Sequence, residues 1–258
     1  MSSAVPLLQA ESWQAIPGLL HGFSQRSGGV SSGPFASLNL SLAVGDSPEC
    51  VAENWRRLAR SGGLAGAPVR MHQVHGSEVV RVDEPPAAAP VADALVSDRG
   101  VALAVLTADC VPILLVDPST RAIAAVHAGW RGTVAAVARR AVESLVSHYG
   151  AKVEELRALL GPSIDACCYQ VGAAVGEAFR QQWGRLPRSY RSDRGEEHKA
   201  HLDLRDANIE MLGAAGVLAE HIERLGPCTA CAADRFFSHR ALQGICGRQA
   251  GLIGWQQL

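Results

Sequence analysis

The sequence predicts an α+β fold, a layered sandwich in which mixed sheets and β-hairpins lie beside helices. Three observations carry this expectation. Short segments dense in β-branched and aliphatic residues alternate with segments of helical apolar spacing along the whole chain. Two of the strand segments are joined by a tight turn, so they run antiparallel, unlike the uniformly parallel strands of a βαβ wheel. Hydrophobic residues make up 48% of the 258 positions against 19% charged, which suffices for a buried core and excludes a disordered chain. No repeat, low-complexity segment or long linker divides the chain, so residues 1–258 are expected to form a single domain.

Each element has its own signal. Ser47-Pro48-Glu49 places a capping serine before a proline at the first helical position, opening a helix that runs to Gly62 and Gly63. Val69 to Val74 and Glu78 to Val82 read as short strands, followed by a linker-like loop from Pro85 to Pro90. Val101 to Leu106, Pro112 to Val116 and Ala122 to Val126 read as buried strands. Thr133 to His148 has helical spacing and stops before Gly150. Val171 to Gln182 and Leu204 to Ala215 are further helices, with the polar stretch Arg185 to Lys199 between them as a surface excursion. Gln249 to Trp255 reads as a closing strand.

Several functional classes are disfavoured at once. Twenty-four Lys and Arg against 25 Asp and Glu leave a net charge of −1, so no basic field invites nucleic acid or an anionic membrane. The longest apolar stretch, Val101 to Val116, is interrupted by Asp109 and Pro112 and does not read as a membrane span. The start has neither a basic region nor a sustained apolar run, so no signal peptide is expected. Seven cysteines, an odd number unevenly spread, suit reduced thiols and a cytoplasmic protein.

The richest chemistry lies between Thr107 and His127. Asp117-Pro118-Ser119-Thr120 has turn chemistry, with Asp first and Pro second. A turn on those residues sets Val116 opposite Arg121, and counting outward sets Cys110 opposite His127. Their Cβ atoms would lie roughly 4.5–5.5 Å apart on one sheet face, close enough to share a metal. A slip of one residue would put them on opposite faces. Met71-His72-Gln73-Val74-His75-Gly76 offers a third donor, and histidines three apart on an extended segment face opposite ways, so one of the two would join. Two His and one Cys leave a tetrahedral metal an open position, as in catalytic sites. Ordinary packing is the competing reading, and Cys/His adjacency also suits a thiol nucleophile with its base. After His127, Ala128-Gly129-Trp130-Arg131-Gly132-Thr133 reads either as an anion pocket at a helix N-terminus or as a tight turn needing glycine only for its backbone.

Several motifs lie in order along nearly the whole chain: His21-Gly-Phe-Ser-Gln-Arg26-Ser-Gly-Gly-Val-Ser31, Asn39-Leu with Gly45-Asp46, Gln73-Val-His75-Gly76, Ala92-Asp93-Ala94 and Thr107-Ala-Asp-Cys110. The order continues with His127-Ala-Gly-Trp-Arg-Gly132, Gly161-Pro-Ser-Ile164 and Phe236-Phe-Ser-His-Arg240 with Gly247-Arg248. Together they resemble the YfiH family, variously called the laccase-domain, polyphenol oxidase or purine nucleoside phosphorylase family. The resemblance implies a single α/β/β-type sandwich and a zinc site, copper being the other candidate metal, held by His75, Cys110 and His127. It implies phosphorolysis of adenosine, inosine, guanosine and methylthioadenosine, with deamination of adenosine. Family members have also been linked to copper-dependent phenol oxidation and to editing of peptidoglycan precursors. Family members often carry two arginines after Phe-Phe-Ser-aromatic, where this chain has Arg240 alone.

These activities assign roles to residues. A metal-activated water suits attack on C6 of adenine, although the His-x-Glu motif of the familiar zinc deaminases is absent. Asp109 is either a proton carrier or a turn residue. Phosphorolysis needs cations for phosphate; Arg26, in a Gly-rich loop, leads Arg131 and Arg248, and Asn39 joins them as a substrate-binding candidate. The expected partners are purine nucleosides and phosphate, with the chain a monomer or weak homodimer that binds neither nucleic acid nor membrane. Nine histidines without one His-x-His pair argue against a trinuclear copper centre, leaving a single blue copper with Met71 as axial ligand as the oxidase alternative. A Cys110–His127 hydrolase is the other rival. Cys228-Thr-Ala-Cys231 with His239 and Cys246 imitates part of a zinc site but lacks a second Cys-x-x-Cys, so those thiols, like Cys167 and Cys168, are assigned to packing.

Overall fold

The structure is a computed structural model describing residues 5–98, 100–193 and 198–256, so residues 194–197 of the charged stretch lie outside the described part. Its centre is a six-stranded sheet in the order Ile222–Arg224, Arg157–Leu160, Val111–Asp117, Ala122–Ala128, Ala94–Ser97, Val79–Arg81. The two outer pairs are parallel and the three inner ones antiparallel, so the sheet is mixed. A four-stranded antiparallel sheet, Leu7–Leu8, Leu19–Ser24, Gln249–Trp255, Leu103–Thr107, packs against it. A small antiparallel ribbon of Arg191–Ser192, Lys199–His201 and Gln170–Gly172 stands apart.

Strand alternation builds the layers. Ile113, Leu115, Ala124 and Val126 face helices Val137–Tyr149 and Leu204–Ala214. Their neighbours Leu114, Val116, Ile123 and Ala125 face the other sheet through Phe23, Leu103, Val105 and Ile253. Burying an aliphatic side chain of this size contributes roughly 1.5–3 kcal/mol, so both faces of the hairpin are strongly specified. The outer face of the four-stranded sheet is covered by Val51, Trp55 and Leu58 of helix Pro48–Ser61, which adds a helix outside the expected helix–sheet–sheet layering. Among the described residues no helix is long and apolar enough to cross a membrane.

Most expected elements form where their signals lie. Ser47 Oγ accepts the Cys50 amide and starts helix Pro48–Ser61, while Gln249–Trp255 is a strand over its full expected length. The helix expected over 133–148 is split instead: Trp130–Val134 ends before Ala136, whose left-handed backbone (φ 60°) restarts the chain as Val137–Tyr149. The strand Leu19–Ser24 was not expected, because His21 and Gly22 interrupt its apolar pattern and its partners lie at the far end of the chain.

The central hairpin forms with a register two residues from the expected one. Val116 opposes Ile123, not Arg121, and Asp117 closes the hairpin against Ala122. The cause is local. Asp117 stays in the strand and its Oδ1 accepts the Ser119 amide at 2.8 Å, while Arg121 adopts a left-handed conformation (φ 61°) and extends the loop to four residues. The Arg121 carbonyl is held by Trp255 Nε1 at 2.8 Å. An even slip keeps every side chain on its intended face. His127 therefore opposes Pro112, and Cys110, just before the strand, lies diagonal to it on the same face.

Candidate metal centre and cleft

The open end of the sheet sandwich brings three donors together. Cys110 Sγ and one ring nitrogen each of His75 and His127 lie within 4.8 Å of one another. The imidazoles stand edge to face, with centroids 4.8 Å apart and an interplanar angle of 80°. His127 ends the buried strand Ala122–Ala128, and Cys110 follows Asp109, whose positive φ of 88° turns the chain into its strand. His75 sits in a turn with φ 60°, a conformation that a non-glycine residue holds only when its surroundings impose it.

Asp93 imposes it. This carboxylate is fully buried, and its Oδ1 accepts the His75 amide at 3.0 Å while Oδ2 accepts those of Val74 and Gly76 at 3.2 and 2.6 Å. The same Oδ1 lies 2.7 Å from His127 Nδ1. Burial works against the charge on Asp93, but His127 and the loop amides outweigh it and hold the carboxyl below its ordinary range. An ionised carboxylate there requires the proton on Nδ1, which leaves His127 Nε2 as the free donor. One buried side chain thus orients two of the three donors. It lies in a motif of the family resemblance, yet nothing in its local spacing marks that role.

Charge couples the donors too. Burial alone would push the Cys110 thiol up, but His127, and then His75, stabilise the thiolate and bring it down to about 6. Burial would likewise lower His127, but the Cys110 charge and the bond to Asp93 raise it to about 9. Without metal the two form a thiolate–imidazolium pair around neutrality. In metal-free protein, alkylation of Cys110 by iodoacetamide should climb through pH 6 and level off above it. An ordinary thiol, with pKa about 8.5, would still be accelerating at pH 8. Mass-spectrometric peptide mapping across pH 5–9 reads that profile.

Gly129 makes the approach possible. A Cβ at this position would stand 3.1 Å from both Cys110 Sγ and His75 Cδ2, and one at Gly132 would stand 2.9 Å from the Gly76 carbonyl. The glycines of the His127 loop are thus needed for the room they leave to neighbouring atoms, since Gly129 has an ordinary φ of −74° and neither glycine has a positive φ. Gly129→Ala should keep the fold but lower metal affinity on the order of tenfold to a hundredfold, measured by chelator competition.

A cleft of about 570 Å³ opens over the three donors, lined also by His72, Gln73, Asp109, Trp130, Arg131, Tyr169, His239, Arg240 and Arg248. The Arg131 guanidinium lies 4.3 Å from the Trp130 ring centre and makes no hydrogen bond or ion pair among the described residues. Arg248 Nη1 donates to the carbonyls of Cys246 and Gly247, and Arg240 donates to those of Cys168 and Gln170. Asp109 is fully engaged: Oδ1 accepts Thr229 Oγ1 at 2.6 Å and Oδ2 accepts the Arg240 amide at 2.7 Å. That supports its turn role over proton carriage.

Two expected substrate-binding residues stand elsewhere. Arg26 does not line the cleft; it donates to the carbonyls of Ala36 and Ala233 and stacks 4.9 Å from the centre of the Phe237 ring. Asn39 is fully buried and holds its own loop, donating to Ser41 O and Asp46 Oδ2 and accepting the Ser41 and Arg248 amides. Asn39 thereby holds the backbone that presents Arg248. The packing assignment of the remaining cysteines also needs revision, because the sulfurs of Cys167, Cys168, Cys228 and Cys231 converge, whereas Cys246 is buried apart from them.

The fold and the cleft define a class: two packed sheets that carry a Cys-His-His donor set, oriented by a buried carboxylate, at their open end. The chain belongs to the family described as multi-copper polyphenol oxidoreductase laccase, whose model matches residues 20–256. It is 42% identical over 256 residues to the purine nucleoside phosphorylase of Deinococcus radiodurans, covering 97% of this chain and 93% of that protein. It is 38% identical to the purine nucleoside phosphorylase YfiH of Shigella flexneri, covering 93% of this chain and 96% of that protein. The crystal structure of YfiH from Bacillus licheniformis superposes with a TM-score of 0.89 at 30% identity, covering 98% of this chain and 97% of that one.

Proposed function

We propose that this chain is a metal-dependent purine nucleoside phosphorylase acting on adenosine, inosine, guanosine and methylthioadenosine, with adenosine deamination as a second activity of the same cleft. The observation that carries the reading is the convergence of Cys110, His75 and His127 beneath a cleft bearing Arg131, a cation with no hydrogen-bonded or ionic partner among the described residues. Relatives along nearly the full length bear the phosphorylase name. The donor set fits zinc: one thiolate, two imidazoles, and a tautomer fixed so that Nε2 is available. When bound, the metal supplies Lewis acidity and an open coordination position.

The chain's own groups do the rest. Arg131 and Arg248 hold phosphate against the ribose, so that a phosphate oxygen attacks C1′ as the bond from C1′ to the purine nitrogen breaks and its electron pair leaves with the base. Trp130 and Tyr169 supply apolar walls for the purine. A literal multi-copper mechanism lacks its ligands: among the described residues, two clusters have metal-binding spacing, and neither is a set of clustered histidine pairs.

The test is product formation from each nucleoside, with and without phosphate, before and after chelation, alongside metal analysis. Phosphate-dependent release of free base that disappears with the metal is the expected result. Turnover surviving complete metal removal would instead favour the Cys110–His127 thiol hydrolase, and absence of base release would exclude phosphorolysis. Arg131→Ala should depress phosphorolysis about ten- to a hundredfold more than deamination, the size of a lost charge-assisted bond to an anion. Arg26→Ala should act on both activities alike and lower the unfolding free energy by about 1–3 kcal/mol, since its bonds are to backbone carbonyls.

A further inference from the structure

A second set of sulfurs lies behind the Arg240 wall of the cleft. Strands Arg157–Leu160 and Ile222–Arg224 are parallel neighbours, so the segments that follow them emerge side by side. That is how Cys167 and Cys168 meet Cys228 and Cys231. The Cys231 sulfur lies 3.5 Å from that of Cys167 and 3.4 Å from that of Cys168, which are themselves 3.8 Å apart, and all four sulfurs fall within 4.8 Å of one another. Four thiolates at about 2.3 Å from a zinc ion form a tetrahedron with edges of about 3.8 Å, close to this spacing. Cys228, the buried member, accepts the Asp165 amide at 3.4 Å, an N–H···S bond of the kind that supports a metal-bound thiolate. Cys167 and Cys231 are exposed, which leaves an entry path.

The geometry points to a structural tetrathiolate zinc site formed by Cys167, Cys168, Cys228 and Cys231. A closed set of four protein ligands is the arrangement of a structural ion, in contrast to the three donors under the cleft. It clips together two segments that build the cleft wall. The carbonyls of Cys168 and Gln170 accept the Arg240 guanidinium, and Thr229, between the two later cysteines, donates from Oγ1 to Asp109 beside Cys110. The site therefore anchors Arg240, Tyr169 and Asp109, and it stands whether or not His75, Cys110 and His127 hold a metal.

The experiment removes the first site to count the second. The full chain carrying His75→Ala, Cys110→Ala and His127→Ala together, reconstituted with zinc under reducing conditions, should keep about one equivalent of zinc by plasma mass spectrometry. Adding Cys167→Ser and Cys231→Ser should remove it. Should either variant fail to fold, cobalt(II) titration of the reduced, metal-free wild-type chain decides. It should bind about two equivalents, one with the intense thiolate charge-transfer absorption of a four-sulfur site. A titration without the four-sulfur absorption, or a zinc-free triple variant that is folded, overturns the proposal. So does a missing pair of thiols in the protein as purified that reductant restores, which would make the cluster a disulfide pair.

Discussion

Cys110→Ala should abolish phosphate-dependent base release, a loss of roughly a thousandfold or more, as when one member of a catalytic unit is removed. The thiolate is the charged member of the donor set, and no other described cysteine approaches that cluster. The fold should survive, because Cys110 is only half-buried at the end of a strand and its loss opens the cleft floor, leaving the core intact. Turnover and thermal unfolding measured on the same preparation separate the two effects, and activity within tenfold of wild type would remove Cys110 from the mechanism. His127→Ala is the less clean variant. It strips Asp93, fully buried, of its cationic partner, and breaking a buried pair costs about 3–5 kcal/mol.

Asp93→Asn should be nearly as damaging, although Asp93 need never touch substrate. Both carboxylate oxygens are acceptors: one serves His127 and the His75 amide, the other the amides of Val74 and Gly76. An asparagine must turn an NH2 group toward one of those donor sets whichever way it is flipped. Metal affinity should fall about 10–100-fold, read by competition with a calibrated chelator. Activity should recover in part when metal is supplied in excess, as expected of a positioning residue. Unchanged affinity would show that the two histidines are held by the sheet alone.

Much of this was legible from local patterns. The hairpin strands and the closing strand announce themselves through β-branched density, and the capping serine and proline mark helix Pro48–Ser61. The face shared by Cys110 and His127 was also readable, since parity along a strand survives a two-residue error in the turn. What escaped depends on distant partners. Leu19–Ser24 is a strand because Gln249–Trp255 pairs with it. Arg26 looked like an anion ligand because its neighbours are glycines, yet the carbonyls that claim it come from Ala36 and Ala233. The four-cysteine cluster has no contiguous signature, since its halves meet only through parallel pairing of two edge strands.

The shared carboxylate has a thermodynamic consequence. Because the turn carrying His75 and the ring of His127 are fastened to the same carboxylate, rotation of Asp93 out of place frees both histidines together. Order in the site is then cooperative. Whatever steadies one ring lowers the free energy needed to steady the other, and linkage makes that help mutual. The amides of Val74, His75 and Gly76 should accordingly open to solvent exchange as one unit, and slow together when the first metal equivalent binds.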